Sequence, residues 1–174
     1  MLNELTLLKP FLEQPEKEFN VREFARLKNI SPATASKQLK YFHKSKILSE
    51  RKDRGFNFYK ADLESFYYKD LKKFYNILKI KESGLIEELD KFYLNPTILL
   101  FGSAATGLDT DTSDLDLVII SEKTKEFLNK IKFEKKLQRP LQIFVVNDLK
   151  DLNNKNLINS VLNGIVIQGE IKWN

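Results

Sequence analysis

Apolar residues recur along the first half of the chain at a helical period and then at an alternating one. Leu5, Leu8 and Leu12 share one side of a helix over Leu2–Glu13, which Pro15 ends. Asn20, with Glu23 three residues on, approximates a capping box and starts a second helix whose buried face is Phe24, Ala25 and Leu27. Asn29 and Ile30 form a short turn. Ser31 is then an N-cap and Pro32 takes the first position of a third helix running to about Ser45. Ala35, Leu39 and Phe42 line its inner side, while Thr34, Lys37, Tyr41 and Lys44 follow at helical spacing on the outer side. Past Ile47 the period drops to two. Leu48 to Arg51 and Phe56 to Tyr59 flank Lys52-Asp53-Arg54-Gly55 and predict a hairpin with a basic tip.

From Asp62 to Lys79 the pattern is helical again, with Leu63, Tyr67, Leu71, Phe74 and Leu78 in one stripe. Gly84 interrupts it, and a further helix from Leu85 to Tyr93 leads to Asn95-Pro96, where a boundary is expected. Beyond Pro96 the element types alternate. Strands are predicted over Thr97 to Phe101, Leu115 to Ile120, Leu141 to Val146 and Ile165 to Gln168, with helices over Lys123 to Leu137 and Asp148 to Leu162. The chain thus reads as an α/β (α+β) protein in three parts: residues 1–60, a helical connector over 61–95, and residues 96–174.

Composition narrows the chemistry. The 174 residues are 42% hydrophobic, which supports a buried core. With no Cys, disulfides, thiolate zinc sites and cysteine nucleophiles are excluded, and His43, the single His, rules out a His-rich metal site. Alone, His43 reads as a helix-surface or half-buried histidine. Apolar runs are too short to span a bilayer, and Met1 to Pro10 is too polar for a secretion signal, so a cytoplasmic protein without membrane contact is expected. Charge is unevenly placed: residues 1–60 hold 13 Lys/Arg against 7 Asp/Glu, whereas residues 96–174 hold 10 against 10. The basic surplus lies in the part that carries the hairpin, as a polyanion-binding module would require.

Two helices joined by a short turn and followed by a hairpin with a cationic tip resemble the winged helix-turn-helix superfamily over Phe19 to Lys60. The resemblance implies double-stranded DNA as a partner. Thr34, Lys37, Tyr41 and Lys44 would face the major groove, and Arg51, Lys52 and Arg54 on the wing would meet the backbone or minor groove. A solvated basic face, or a winged fold used for protein contact, is the competing reading, and the coincident motif order and charge favour DNA. The stripe on the 62–79 helix is long for a connector and suggests a homodimer; its packing within the chain is the alternative.

The most specific signal is Phe101-Gly102-Ser103-Ala104-Ala105-Thr106-Gly107, followed by Thr112-Ser113-Asp114-Leu115-Asp116-Leu117-Val118-Ile119. An apolar strand feeding Gly-Ser, then Asp-x-Asp opening another apolar strand, resembles nucleotidyltransferases of the DNA polymerase beta superfamily, particularly the minimal ones. Gly102 lets backbone approach a triphosphate, and Ser103 offers a hydroxyl and an N–H at a helix start. Residues two apart on a strand share a face, so Asp114 and Asp116 present their carboxylates together, and such a pair is stabilised by a hard cation. The resemblance implies that Gly102 and Ser103 hold the phosphates of a nucleoside triphosphate. It also implies that Asp114 and Asp116 are catalytic and bind Mg²⁺, or Mn²⁺ in its place. An EF-hand over Asp109 to Ile120 is rejected, since glycine and glutamate are missing at its sixth and twelfth positions. Asp109 and Asp111 read as ordinary acids of a polar turn.

This chain departs from that family at two positions. Gln142 stands where a third carboxylate is often found, and an amide cannot accept a proton from an attacking hydroxyl. Thr106 stands where many members have Arg or Lys. The expected architecture is a winged helix-turn-helix, a helical connector and a C-terminal nucleotidyltransferase-fold mixed sheet flanked by helices. The expected function is that of a DNA-binding transcriptional regulator whose second domain binds a Mg-nucleoside triphosphate and transfers a nucleotidyl group to a hydroxyl acceptor. The alternative is a catalytically inactive regulator or antitoxin-like protein that binds DNA and a protein partner.

Overall fold

The structure, a computed structural model, describes residues 2–171. The chain divides into two compact units, one ending at Lys72 and the other beginning at Lys73.

In the first unit the order is α1 (Leu2–Glu13), β1 (Phe19–Asn20), α2 (Val21–Lys28), α3 (Pro32–Lys44), β2 (Leu48–Asp53) and β3 (Phe56–Ala61). The strands form an antiparallel sheet in the order β1-β3-β2, with Phe19 opposite Tyr59 and Leu48 opposite Ala61. Both halves of the capping box exist: Glu23 N–H donates to Asn20 Oδ1 at 2.9 Å and Asn20 N–H to Glu23 Oε2 at 3.0 Å. Ser31 Oγ accepts from Thr34 N–H at 3.1 Å and caps α3, whose Ala35, Leu39 and Phe42 are buried with Phe11, Leu12 and Phe24. Leu27, expected to be buried, is 56% exposed. At 3.6 residues per turn it stands about 110° round α2 from the midpoint of Phe24 and Ala25, outside the arc this short helix turns inward.

Helix α4 (Phe66–Glu82) contributes residues to both units. Its buried residues are Tyr68, Lys72, Tyr75, Asn76 and Ile80, whereas Tyr67 and Phe74 of the expected stripe are exposed and Leu71 and Leu78 half-buried. The inward side buries polar tips together with the apolar area of Tyr68, Tyr75 and Ile80. Tyr68 Oη donates to Phe11 O at 3.0 Å and Lys72 Nζ to Leu12 O, so each buried polar end finds a carbonyl.

The second unit continues with α5 (Leu85–Tyr93), β4 (Thr97–Phe101), α6 (Gly102–Thr106), β5 (Leu115–Ile120), α7 (Lys130–Leu137), β6 (Leu141–Val146), α8 (Lys155–Leu162) and β7 (Ile165–Gln168). Its mixed sheet runs β6-β5-β4-β7, with β5 and β6 parallel and the other pairs antiparallel. Alternation along β4 and β5 sends side chains to both faces. Ile98, Leu100, Leu117 and Ile119 pack with Ile80, Leu85, Leu89, Tyr93 and Phe133, while Leu99, Phe101 and Val118 pack with Leu149, Leu152 and Val161. Helix α5, expected in a connector, therefore belongs to the core of the second unit.

Two expected helices are shorter than the pattern implied. Residues 123–129 are not helical: Lys123 N–H bonds Ser121 Oγ at 3.1 Å, and Lys125 O accepts from Tyr93 Oη at 2.8 Å. The 148–162 segment is split into a turn of 3₁₀ helix at Leu149–Asp151, capped by Asp148, and α8, capped by Asn154. Short polar side chains there bond nearby backbone N–H groups and restart the helix.

Candidate functional site

Antiparallel pairing of β4 with β5 sets Phe101 opposite Asp116, and parallel pairing of β5 with β6 sets Gln142 opposite Asp116. The chain leaves β4 straight into α6, and the turn is made at Gly102 with φ +70°. The missing side chain matters twice. That φ disfavours other residues, and a Cβ would meet Asp116 Oδ2 at 2.3 Å, so the carboxylate sits in the space glycine leaves. Ser103 follows, half-buried at the start of α6, whose N-cap Phe101 supplies no side-chain bond.

Asp116 is half-buried, and burial first and the charge of Asp114 second push its carboxyl above the ordinary value, with Arg139 pulling the other way. Asp114 Oδ2 accepts a hydrogen bond from Gln142 Nε2 at 2.8 Å. The position of the third carboxylate thus carries a donor aimed at one of the two acids. Thr106 is exposed, and its hydroxyl is turned back to Ser103 O at 2.9 Å. Among the described residues no group of three or more His, Cys, Asp or Glu could hold a metal ion. The Asp116 carboxylate beside a side-chain-free turn, with the charge of Asp114 near enough to act on it, nevertheless fits a hard divalent cation, which takes one or two carboxylates and completes its shell with phosphate oxygens and water.

Three residues at this site were not singled out from the sequence. Asp109, read there as a turn acid, has a fully buried side chain paired with Arg139, Nη1 to Oδ2 at 2.7 Å. The same guanidinium donates from Nε to Ser113 O at 2.7 Å and from Nη2 to Asp114 O at 3.0 Å. Asn76 Nδ2 donates to Asp109 Oδ1 at 2.8 Å and to Ala104 O at 3.0 Å. Asp111 is exposed, as a turn acid should be. Periodicity holds no trace of such a cluster, since Asn76, Asp109 and Arg139 lie in separate segments.

In the first unit Thr34, Lys37, Tyr41, Lys44, Arg51, Lys52 and Arg54 are all exposed. They are not equally available. Thr34 Oγ1 bonds Ser31 Oγ at 2.8 Å within the cap of α3. Arg51 is held by Glu18, Nε to Oε1 at 3.1 Å and Nη2 to Oε2 at 2.7 Å, and lies 3.3 Å from Asp53, while its guanidinium covers the Phe58 ring. This bidentate pairing holds the Glu18 carboxyl below its usual range.

No described helix is long and apolar enough to cross a membrane. No curated relative matches the chain. Residues 82–167, which hold Gly102, Ser103, Asp114, Asp116 and Gln142, match the family model of the nucleotidyltransferase domain, and it is to that family that this part of the chain is similar.

Proposed function

We propose that the second unit binds a nucleoside triphosphate with Mg²⁺ and that the first binds duplex DNA, making the protein a DNA-binding regulator with a nucleotidyltransferase domain. The observation that carries the nucleotide reading is the Asp116 carboxylate lodged against the backbone of Gly102, within the segment matching the nucleotidyltransferase family. Asp114 and Asp116 would hold the cation, and Gly102 and Ser103 the phosphates. When bound, the cation supplies charge neutralisation at the α-phosphate under attack by an acceptor hydroxyl. Asp116 is half-buried on its strand, and Gly102 keeps that approach free of a side chain. Gln142 steadies Asp114 but takes no proton, so the acceptor hydroxyl must lose its proton elsewhere.

A second reading, a binding site without turnover, is favoured by the Gln142 amide on Asp114. DNA binding is supported by the exposed Lys37, Tyr41 and Lys44 on α3 and the exposed Lys52 and Arg54 at the hairpin tip. A homodimer through the stripe on α4, of which Tyr67 and Phe74 are exposed, and an antitoxin-like protein partner belong to the same proposal. Incubating the protein with labelled nucleoside triphosphates, Mg²⁺ or Mn²⁺ and candidate protein, RNA or small-molecule acceptors tests the nucleotide part. Cation-dependent binding with label transfer supports an enzyme, cation-dependent binding without transfer supports the silent site, and no cation-dependent binding removes both.

A further inference from the structure

We infer that the Asp109–Arg139 ion pair, steadied by Asn76, is the positioning device of the site, fixing the backbone from which Asp114 reaches the cation. The inference rests on the proposed function, because it gives the pair a role toward a cation-holding carboxylate.

Ser113 and Asp114 end a Thr-, Ser- and Asp-containing turn just before β5, and Asp114 lies outside the strand ladder. A turn of that composition samples many conformations unless something fixes it. Arg139 does so with a planar fork that a single-point cation cannot imitate. One arm meets Asp109, and two more donors reach the carbonyls of Ser113 and Asp114. The arrangement is dry: the side chain of Asp109 is 0% exposed and that of Arg139 10%. Asn76 closes the far side of Asp109 and also holds Ala104 O of α6, the helix that follows Gly102. One buried polar chain therefore joins the segment carrying Asp114 to the helix carrying Ser103. Neither Asp109 nor Arg139 need touch substrate to set how the two halves of the site face each other, so both are positioning residues.

The test uses the full chain and two variants. Arg139→Lys keeps a positive charge beside Asp109 but cannot serve Asp109, Ser113 O and Asp114 O together. Asp109→Leu/Arg139→Met replaces the pair by apolar side chains, a change buried pairs often tolerate. Three quantities are read: the thermal transition, the affinity for a fluorescent ATP analogue in Mg²⁺ against EDTA, and backbone hydrogen exchange over residues 110–115. Arg139→Lys should stay folded, bind the analogue in Mg²⁺ about 10- to 100-fold more weakly, the usual loss when support of a metal ligand is removed, and exchange faster over 110–115. A folded double variant should do the same. Unchanged affinity and exchange in folded Arg139→Lys would overturn the inference. So would its global unfolding, which would assign the pair to stability alone. If the unaltered protein showed no Mg²⁺-dependent binding, the proposed function would fail by itself, and exchange over 110–115 would still decide whether the pair fixes that turn.

Discussion

A Cβ placed on Gly102 would lie 2.3 Å from Oδ2 of Asp116, so the backbone of one residue and the carboxylate of the other share a space that admits no further atom. Gly102→Ala therefore meets two costs, a left-handed φ of +70° and displacement of the carboxylate. We expect it to destabilise the fold by about 1–3 kcal/mol, as strained backbone positions do. Cation-dependent nucleotide binding should be lost. Thermal denaturation and titration with a fluorescent ATP analogue check the two effects separately, and unaltered binding would mean that Asp116 does not need this space.

Asp116 should make stability depend on pH in a defined direction. Burial and the charge of Asp114 raise its carboxyl above the ordinary value, so the native state holds that proton more tightly than the unfolded chain does. That contribution is present below the unfolded value of about 4 and is lost as pH rises through the raised native value. Asp116→Asn, a neutral residue of similar shape, should melt at a higher temperature than the unaltered protein at pH 7 when no cation is present. The gap should close as pH falls toward 4. The same variant should lose Mg²⁺-dependent nucleotide binding.

Gln142→Asp exchanges a donor for an acceptor beside Asp114. The cation-free protein should become less stable at neutral pH, because three carboxylates would then lie together and Asp114 would lose its 2.8 Å bond. Any label transfer should rise, by up to the 10²–10⁴ that general-base help typically supplies, with nucleotide affinity little changed. A fall in transfer in this variant would show that the third carboxylate is unnecessary here.

The cations of the first unit should not contribute equally to DNA binding. Lys37→Ala, Lys52→Ala and Arg54→Ala should each weaken binding across unrelated duplexes, and each lost phosphate contact should reduce the salt slope by about 0.9. Arg51→Ala should change the slope less, since its guanidinium is already committed to Glu18 and Asp53. Electrophoretic mobility shifts over a range of salt concentrations measure all four, and equal losses would mean that Arg51 leaves its partners for the duplex.

Self-association through the α4 stripe should depend on Tyr67 and Phe74, which are 64% and 46% exposed. Light scattering should report a dimer that Tyr67→Ser/Phe74→Ser dissociates. A monomer at high concentration in the unaltered protein would end the homodimer proposal.

Local chemistry made much of this protein legible from its sequence. Asn20 with Glu23, Ser31 with Pro32, the period of two on either side of the Lys52–Gly55 tip and the apolar runs of β4 and β5 act within a few residues, so the elements they specify form where the pattern puts them. The turn at Gly102 after β4 and the place of Asp116 inside β5 were likewise short-range facts, whereas Asp114, expected on the same strand, lies just before it. Tertiary structure alone decided the rest. The side of α4 that turned inward sets Tyr68 and Lys72 on the carbonyls of Phe11 and Leu12, and helical periodicity cannot count acceptors lying more than fifty residues away. The helix expected from Lys123 lost its first turns to contacts with Tyr93 and Ser121. Asp109, Arg139 and Asn76 came together only when the second unit closed on its core, because a buried charge finds its partner by position in space, and sequence spacing carries no record of that distance.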